Sequence, residues 1–346
     1  MTINRRWTLA RRPDGPVAPA DFALKEVEQE DRPLRPAEII VRNHLFAVAP
    51  TLRNRLKPPA ESHRGAIPIG GTIGGIAGCE VIASAHPSYA VGDRLVAMTQ
   101  WEDFSRLRPD ELTVPVLAVP DQMTLADALG PYSLNSLTAY FGVLEVGRPR
   151  AGETLLVSGA AGSVGSVACQ IGKLLGCKVI GIAGGEAKCR WLVEACGVDF
   201  AIDYSAENVA ERLRLLAPEG VDVFFDNVGG DVLQAAVDQM SRKGRIVLCG
   251  QISAYDRPGG APGPRDMMKI VYGSIRMEGF VVGDFADGFE AAREQLRSWT
   301  ETGDLVSRVD LRHGLEQLPI AFTDLFSGAN RGSLLVFNDS DGSVIR

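Results

Sequence analysis

The second half of the chain alternates short apolar runs with amphipathic stretches. Apolar runs of strand length occupy residues 154–158, 178–183, 200–203, 221–226 and 245–250, with a candidate sixth run at 280–282. Between these runs, apolar positions recur at helical spacing, for example over residues 163–175 and 232–240. Apolar strands separated by helices indicate a parallel sheet that is covered on both faces. We therefore predict a Rossmann-type, doubly wound α/β domain whose ligand crevice lies at the carboxyl ends of the strands.

The first 125 residues follow a different pattern. Short extended runs, repeatedly broken by proline and glycine, occupy residues 38–41, 78–83, 93–97 and 112–119. That punctuation is typical of a small, irregular β-barrel rather than an α/β layer. The chain therefore combines an α/β domain with a second domain of mostly β structure.

Two further segments set the predicted domain boundaries. Residues 124–146 have apolar positions at three- and four-residue spacing and are predicted to be helical, and the tail returns to short strand-like runs at 306–310 and 333–337. We predict a β-barrel domain of residues 1–123, rejoined by residues 310–346, and an α/β domain of residues 124–309.

A glycine-rich turn joins the first strand and helix of the α/β domain. Its glycines are Gly159, Gly162 and Gly165, a spacing that differs from the usual G-x-G-x-x-G. A helix that opens on small residues presents unpaired backbone N–H groups and its positive dipole end to an anion such as a diphosphate. The alternative is a turn whose glycines serve only the packing of the strand against the helix.

The end of the second strand indicates which dinucleotide the turn would bind. An NAD site ordinarily has a carboxylate there for the ribose 2′-hydroxyl. Here the strand is followed by Gly184 and Gly185, and then by Lys188, whose charge would attract a 2′-phosphate. The pattern predicts NADP(H) as cofactor. The alternative is that Lys188 is an ordinary solvated lysine in the first turns of a helix.

Composition excludes several classes of protein. The 346 residues suggest about two domains, and the net charge of −7 comes without a lysine and arginine cluster that would mark a nucleic-acid site. We find no apolar run near the ~20 residues needed to span a bilayer. Arg5 and Arg6 near the N-terminus are not followed by an apolar signal core, so we predict a cytoplasmic protein.

Cysteine and histidine positions argue against a metal site. The six cysteines form no C-x-x-C pair, which indicates reduced and mostly buried thiols. A catalytic zinc needs three convergent ligands, and a structural one needs four. The four histidines lie far apart in the sequence, and only His63 near Cys79 and Glu80 is worth testing. We therefore expect no metal.

Several blocks of sequence, in order, resemble one known family. The strongest are residues 160–166 (AAGSVGS), 171–181 (IGKLLGCKVIG), 225–230 (FDNVGG), 244–255 (GRIVLCGQISAY) and 277–280 (MEGF). The chain is similar, from about Arg5 to Phe337, to the zinc-independent medium-chain dehydrogenase/reductases. The likeness is to the branch of prostaglandin reductases, leukotriene B4 12-hydroxydehydrogenases and NADPH-dependent double-bond reductases. The resemblance implies a Rossmann domain, a GroES-like β-barrel substrate domain, NADPH and a homodimer.

The resemblance also implies roles for individual residues. The diphosphate would be held by Gly162, Ser163, Val164, Gly165 and Ser166, and the 2′-phosphate by Lys188 and Tyr204. Residues expected beside the rest of the cofactor are Asn227, Cys249, Gly250, Ser253, Tyr255, Phe280, Val281, Val282 and, from the other domain, Asn330. Two of these have a plain structural alternative, since Tyr204 could simply end a strand and Asn227 could simply turn the chain.

The substrate side departs from the family pattern. The usual Asp-Pro followed by an aromatic residue is replaced by a segment that contains Thr51 and Arg53, and the usual Pro-Gly before Thr-Ala-Tyr is replaced by Asn135 and Ser136. These positions, with Tyr255, are expected to border the substrate pocket. Residues 257–265, rich in proline and glycine, are interpreted as a substrate-covering loop, the alternative being a plain connector.

The activity implied by the resemblance is reduction of the carbon–carbon double bond of α,β-unsaturated ketones or aldehydes by NADPH, with hydride transfer to the β-carbon and no zinc. Tyr255 would polarise the substrate carbonyl, or else also donate the proton. An NADPH:quinone reductase or a carbonyl reductase is the alternative within the superfamily. A non-catalytic NADPH-binding protein is the alternative of another class.

Overall fold

The computed structural model describes residues 3–62, 65–255 and 262–338. Its contacts divide the chain into two units. The first contains residues up to Gly130 and from Val309 onward, and the second runs from Pro131 to Arg308. The sequence prediction put the first boundary between residues 123 and 124 and the second between 309 and 310.

The first unit begins with a two-stranded antiparallel sheet and continues into a larger one. Its early elements are β1 (Ile3–Leu9), β2 (Phe22–Glu28), β3 (Ile39–Ala47), β4 (Gly74–Ser84), β5 (Arg94–Gln100), β6 (Phe104–Leu107), β7 (Leu117–Ala118) and helix α1 (Leu125–Leu129). Strands β3, β4, β5 and β7 pair in antiparallel order, and β6 pairs with β3.

The second unit is a six-stranded sheet with helices between its strands. Its elements are α2 (Leu134–Phe141), β8 (Thr154–Ser158), α3 (Ser163–Leu174), β9 (Lys178–Ala183), α4 (Glu186–Glu194), β10 (Phe200–Asp203), α5 (Val209–Leu216), β11 (Val221–Asp226), α6 (Gly230–Gln239), β12 (Met240–Leu248), α7 (Met267–Gly273), β13 (Arg276–Gly279) and α8 (Phe289–Glu301). Every ladder is parallel, and the strand order is β10-β9-β8-β11-β12-β13. This is the doubly wound Rossmann order, with the switch between β8 and β11.

The alternation of side chains along the central strands explains the two helical layers. Leu155 and Val157 of β8 face one hydrophobic cluster with Phe225 of β11, whereas Leu156 and Phe224 face the other. All five are fully buried. Since neighbouring residues in a strand point to opposite faces, a run that is apolar at every position must be covered on both sides.

The last part of the chain, from Val309 onward, belongs to the first unit. The last elements are β14 (Val309–His313), α9 (Leu318–Ser327) and β15 (Ser333–Phe337). Strand β15 pairs antiparallel with β3 and parallel with β14, which completes a seven-stranded sheet within the described residues. The strand predicted at 306–310 therefore begins and ends later, at Val309 and His313.

Several predicted elements differ in extent from the observed ones. The helix predicted over 124–146 is interrupted at Gly130, which precedes a proline and so disfavours helical backbone; α2 then gives way to a π-helical segment, Gly142–Gly147. The strand predicted at 112–119 is reduced to Leu117–Ala118, since Pro115 lies inside the run. The strand predicted at 245–250 starts at Met240, where the predicted helix 232–240 has already ended.

The sixth strand of the sheet lies earlier than predicted. It spans Arg276–Gly279 and pairs with β12, whereas the predicted strand 280–282 falls in the turn that leads into a 3-10 helix, Val282–Gly288. Phe280 packs on the core cluster and meets the Phe285 ring edge-on, with centroids 6.3 Å apart. Phe280 is thus apolar because it packs on the core from a loop. A short apolar run in the sequence does not distinguish such a loop from a strand.

Candidate functional site: a dinucleotide turn at the centre of the parallel sheet

The glycine-rich turn leads directly from β8 into α3. Gly159 adopts φ +57°, and the Gly162 N–H donates to the Gly159 carbonyl (3.0 Å), which closes the turn. Helix α3 begins at Ser163, and its first i→i+4 bond runs from the Ser166 N–H to the Gly162 carbonyl (3.0 Å). Helix geometry therefore leaves the N–H groups of Ser163, Val164 and Gly165 without an acceptor inside the helix. They form the kind of cradle that binds phosphate.

Gly165 determines how closely the helix approaches the turn. A Cβ atom at this position would lie 2.3 Å from the Gly159 carbonyl oxygen and 2.8 Å from the Ala160 Cα. Both neighbours are backbone atoms, which cannot rotate away. The third glycine is thus required for packing, and the packing in turn brings the open end of α3 to the end of the strand.

A buried carboxylate joins the ends of the two central strands. Asp226, the last residue of β11, accepts hydrogen bonds from the Ser158 hydroxyl (2.7 Å) and from the N–H groups of Val228 (2.9 Å) and Gly229 (3.0 Å). Burial raises the pKa of the Asp226 carboxyl, and these hydrogen bonds oppose the shift. Asp226 and Ser158 are not among the site residues predicted from the sequence. The signal was present, since each is a polar residue that directly follows an apolar run, Leu155–Val157 or Val223–Phe225.

Asn227 is held by the same network. Its N–H donates to the Ser158 hydroxyl (2.8 Å) and its side-chain amide donates to the Ser158 carbonyl (2.7 Å). The first bond fixes the backbone and the second fixes the side chain at the switch point between β8 and β11, which is where open α/β sheets bind ligands. The residue therefore both turns the chain and lies at the predicted crevice.

The segment after β12 lies over the Asn227 turn. The N–H groups of Cys249 (2.9 Å) and Gly250 (3.0 Å) both donate to the Asp226 carbonyl, and the Ser253 hydroxyl donates to the Val228 carbonyl (2.6 Å). Burial, followed by the nearby Asp226 charge, raises the pKa of the Cys249 thiol to about 12. The raised pKa favours the neutral thiol, which is the less nucleophilic form.

The predicted 2′-phosphate residues both lie near the two glycines that follow β9. The Tyr204 ring lies against Gly184, where a Cβ atom would be 2.8 Å from the phenolic oxygen. Lys188 lies half-buried in the first turn of α4, and its N–H donates to the Gly185 carbonyl (3.1 Å). The end of β9 thus has a lysine in the following helix turn, and a glycine, Gly184, that leaves room for the Tyr204 ring.

A carboxylate that the sequence analysis did not consider supports this corner. Asp203, the last residue of β10, accepts hydrogen bonds from the N–H groups of Gly185 (2.8 Å) and Ser205 (2.9 Å). The Gly185 bond in particular lowers the pKa of Asp203. Glycines follow β9, as the sequence indicates. The neighbouring strand β10 nevertheless supplies an acid, Asp203, whose carboxylate holds the turn through the Gly185 backbone N–H.

Other predicted cofactor residues lie on separate loops of the second unit. Tyr255 is half-buried and follows the 3-10 turn Ile252–Ala254, with its N–H donating to the Ile252 carbonyl (3.2 Å). Val281 is exposed and Val282 is half-buried at the start of the next 3-10 helix. The predicted covering loop, residues 257–265, falls largely outside the described residues.

Asn135, predicted to border the substrate pocket, contacts the dinucleotide turn. Its side-chain amide donates to the Ser163 hydroxyl, with Nδ2 and Oγ 3.0 Å apart. The structure thus joins the start of α2 to the start of α3, a contact that the sequence spacing of 28 residues could not reveal.

Three predicted residues belong to the first unit. Thr51 is exposed on the 3-10 helix Pro50–Leu56, whereas Arg53 on the same helix is only 5% exposed and donates to the Gly15 carbonyl (2.9 Å). Arg53 therefore ties two loops together inside this unit. Asn330 is half-buried before β15, and its amide donates to the Gly332 carbonyl (3.1 Å).

The described residues contain no group of three or more histidine, cysteine, aspartate or glutamate side chains that could hold a metal ion. His63 lies outside the described residues. Cys79 is fully buried, and burial raises its pKa to about 12, while Glu80 pairs with His44 (3.5 Å). None of the helices in the described parts of the chain has the length and apolarity to cross a bilayer.

Comparisons with known proteins cover nearly the whole chain. The family model for zinc-binding dehydrogenases matches residues 163–298, and the model for the N-terminal domain of oxidoreductases matches residues 5–114. NADPH-dependent curcumin reductase of Escherichia coli (strain K12) is 33% identical over 346 residues, which is 96% of each chain. Prostaglandin reductase 1 of Bos taurus is 35% identical, over 97% of this chain and 99% of that protein.

A solved structure agrees with the sequence relatives. CurA from Vibrio vulnificus, in complex with NADPH, matches with a TM-score of 0.88 and 34% identity, over 97% of this chain and 99% of that one. The resemblance predicted from the sequence is thereby confirmed. The chain belongs to the medium-chain dehydrogenase/reductase family, in the branch of the prostaglandin reductases and NADPH-dependent double-bond reductases.

Proposed function

We propose that the protein uses NADPH to reduce the carbon–carbon double bond of α,β-unsaturated ketones or aldehydes. The observation that carries the proposal is the Gly159–Gly165 turn with its open helix end, in a chain related over nearly its full length to reductases of this branch. The wider class is an oxidoreductase that acts on C=C bonds.

The residues around the turn fit a dinucleotide. In the proposal, the N–H groups of Ser163, Val164 and Gly165 and the adjoining Ser166 hold the diphosphate, because they lie at a helix N-terminus kept open by glycine. Lys188 and Tyr204 hold the 2′-phosphate. Support for this assignment comes from the Tyr204 ring resting on Gly184 beside the first turn of α4.

NADPH, when bound, supplies hydride to the β-carbon of the substrate. The chain supplies the surroundings of that step. Asn227 and the Cys249–Ser253 segment form a wall at the switch point. Hydrogen bonds to Ser158 hold Asn227, and hydrogen bonds to the carbonyls of Asp226 and Val228 hold the segment. A rigid wall orients reactants without reorganisation during the reaction.

Tyr255 is proposed to polarise the substrate. Hydride addition at the β-carbon places negative charge on the carbonyl oxygen, and a hydrogen-bond donor at that oxygen lowers the barrier. A phenol is a weak acid near neutral pH, so the hydroxyl is assigned to hydrogen bonding, and the α-carbon takes its proton from water. The position of Tyr255 supports this role, because the residue follows the Cys249–Ser253 segment after β12.

The proposal extends to assembly and location. We assign a homodimer formed through the second unit and a cytoplasmic location. The dimer is supported by β13, whose residues Arg276, Glu278 and Gly279 are exposed at the end of the described sheet, and by the exposed Tyr272 on α7. An edge strand with open N–H and carbonyl groups can pair with a second copy. Light scattering of the purified protein and fractionation of cells test these two points.

The activity is tested by an NADPH-oxidation screen with product identification. The panel contains alkenals, cyclic enones, aryl enones and quinones. A saturated ketone or aldehyde as product is expected. A hydroquinone or an allylic alcohol as the main product would instead support quinone or carbonyl reduction. Tight NADPH binding without oxidation on any member of the panel would contradict an enzymatic role.

A further inference from the structure

Two helix starts meet at the dinucleotide turn. Asn135 is the second residue of α2 and Ser163 is the first residue of α3, and the Asn135 amide donates to the Ser163 hydroxyl at 3.0 Å. Both side chains are half-buried. The bond therefore links the turn to an element that precedes β8 in the chain.

The chemistry of the two groups gives this bond a direction. A side-chain amide nitrogen is a donor only, so the Ser163 oxygen must be the acceptor. A serine hydroxyl has one proton, and a hydroxyl that accepts from one partner has that proton left to donate to another. Ser163 also lies in the first turn of α3, where N–H groups without a partner inside the helix can bind an anion.

We infer that Asn135 is a positioning residue for NADPH: it holds the Ser163 hydroxyl so that its proton is donated to the diphosphate. This inference rests on the proposed function, because it needs the turn to bind NADPH. A hydrogen bond from a hydroxyl to a charged phosphate is short and stronger than a neutral one. Asn135 gains this role without touching the cofactor itself.

The residue type at position 135 matters for this role. The family pattern has Pro-Gly where this chain has Asn135 and Ser136. Neither proline nor glycine has a side-chain donor, so neither could hold the hydroxyl. The departure that the sequence analysis assigned to the substrate pocket thus acts, on this inference, on cofactor binding.

The inference is tested by a double-mutant cycle on NADPH affinity. The variants are Asn135→Ala, Ser163→Ala and the double variant, each titrated with NADPH by nicotinamide fluorescence. Loss of one hydrogen bond to a charged group predicts a roughly tenfold weaker Kd for Ser163→Ala and a somewhat smaller loss for Asn135→Ala. If Asn135 acts through Ser163, the double variant is no weaker than Ser163→Ala alone.

Two further measurements separate positioning from a general structural role. 2′-AMP carries the 2′-phosphate but no diphosphate, so its affinity is expected to be unchanged in all three variants. Asn135→Leu, which keeps the side-chain volume without a donor, is expected to match Asn135→Ala, and it replaces that variant if the latter does not fold.

The possible outcomes distinguish a failure of the proposed function from a failure of the role assigned to Asn135. Failure of the unmodified protein to bind NADPH would overturn the proposed function and this inference with it. Suppose that the unmodified protein binds NADPH. Additive losses of NADPH affinity in the double variant, or an equal weakening of 2′-AMP binding, would then overturn the role of Asn135 and leave the proposed function standing. An unchanged NADPH Kd in both Asn135 variants would also overturn it.

Discussion

Replacing Gly165 with alanine tests whether the packing of α3 onto the turn creates the cofactor site. The added Cβ would lie 2.3 Å from the Gly159 carbonyl oxygen, about 1 Å short of the 3.4 Å at which ordinary contact begins. The Ala160 Cα is 2.8 Å away on the same side. Because both contacts are backbone, the start of α3 must move away from the strand by a comparable distance.

The size of the effect follows from the groups that move with it. Overpacking of this kind costs about 1–3 kcal/mol of stability. The displacement also shifts the N–H groups of Ser163 and Val164, and a hydrogen bond to a charged group contributes about 1.5–3 kcal/mol. Misaligning one such bond weakens NADPH binding by about 10- to 100-fold.

Gly172→Ala is a matched control on the same helix. Its Cβ would also approach a neighbour to 2.3 Å, but that neighbour is Cδ2 of Leu155, the end of a flexible side chain. Both variants gain the same helix propensity from alanine, so this contribution cancels between them. Gly172→Ala is expected to lower thermal stability while leaving the NADPH Kd within about twofold of the unmodified protein.

The assay is a fluorescence titration with NADPH, alongside thermal melts and circular dichroism of both variants. A folded Gly165→Ala protein that binds NADPH as tightly as the unmodified protein would refute the reasoning. Equal weakening of NADPH binding in Gly172→Ala would refute it too, because the effect would then follow general destabilisation and not the turn.

Three further predictions concern charge and catalysis. Lys188→Gln should weaken the use of NADPH about 10- to 100-fold and leave the use of NADH nearly unaffected, as measured by kcat/KM for each cofactor. Equal rates with NADPH and NADH in the unmodified protein would contradict the assignment of Lys188 to the 2′-phosphate. Tyr255→Phe should lower kcat by about 100-fold with little change in NADPH Kd, and unchanged enone reduction would remove Tyr255 from the mechanism. Hydrogen bonds from Arg32 lower the pKa of Glu38 to about 2. The Glu38 carboxylate therefore stabilises the folded state fully at pH values above the ordinary pKa of a carboxyl group, and this stabilisation is lost as the pH falls toward 2. Glu38→Gln should therefore be less stable than the unmodified protein at neutral pH and approach it in acid; parallel melting curves down to pH 2 would rule this out.

The sequence alone determined much of the second unit. The strands β8, β9, β10 and β11 agree residue for residue with their predicted ranges, because strands of a parallel sheet covered by helices are mostly apolar runs. The dinucleotide turn was also readable, since a close strand–helix approach requires a residue without a side chain, and Gly165 supplies it. The family was identified from blocks of sequence in the same regions.

Tertiary structure decided what local pattern could not. Whether the apolar run at Phe280 forms a strand depends on β12 already being paired by residues 276–279, a register that only the assembled sheet sets. The same applies to the site: Asp226 and Ser158 are 68 residues apart in sequence and meet because parallel strands end at one edge. Asn135 contacts Ser163 only when α2 packs beside α3. The sequence showed only that Asn135 and Ser136 replace the Pro-Gly of the family pattern, and the fold determined the contact.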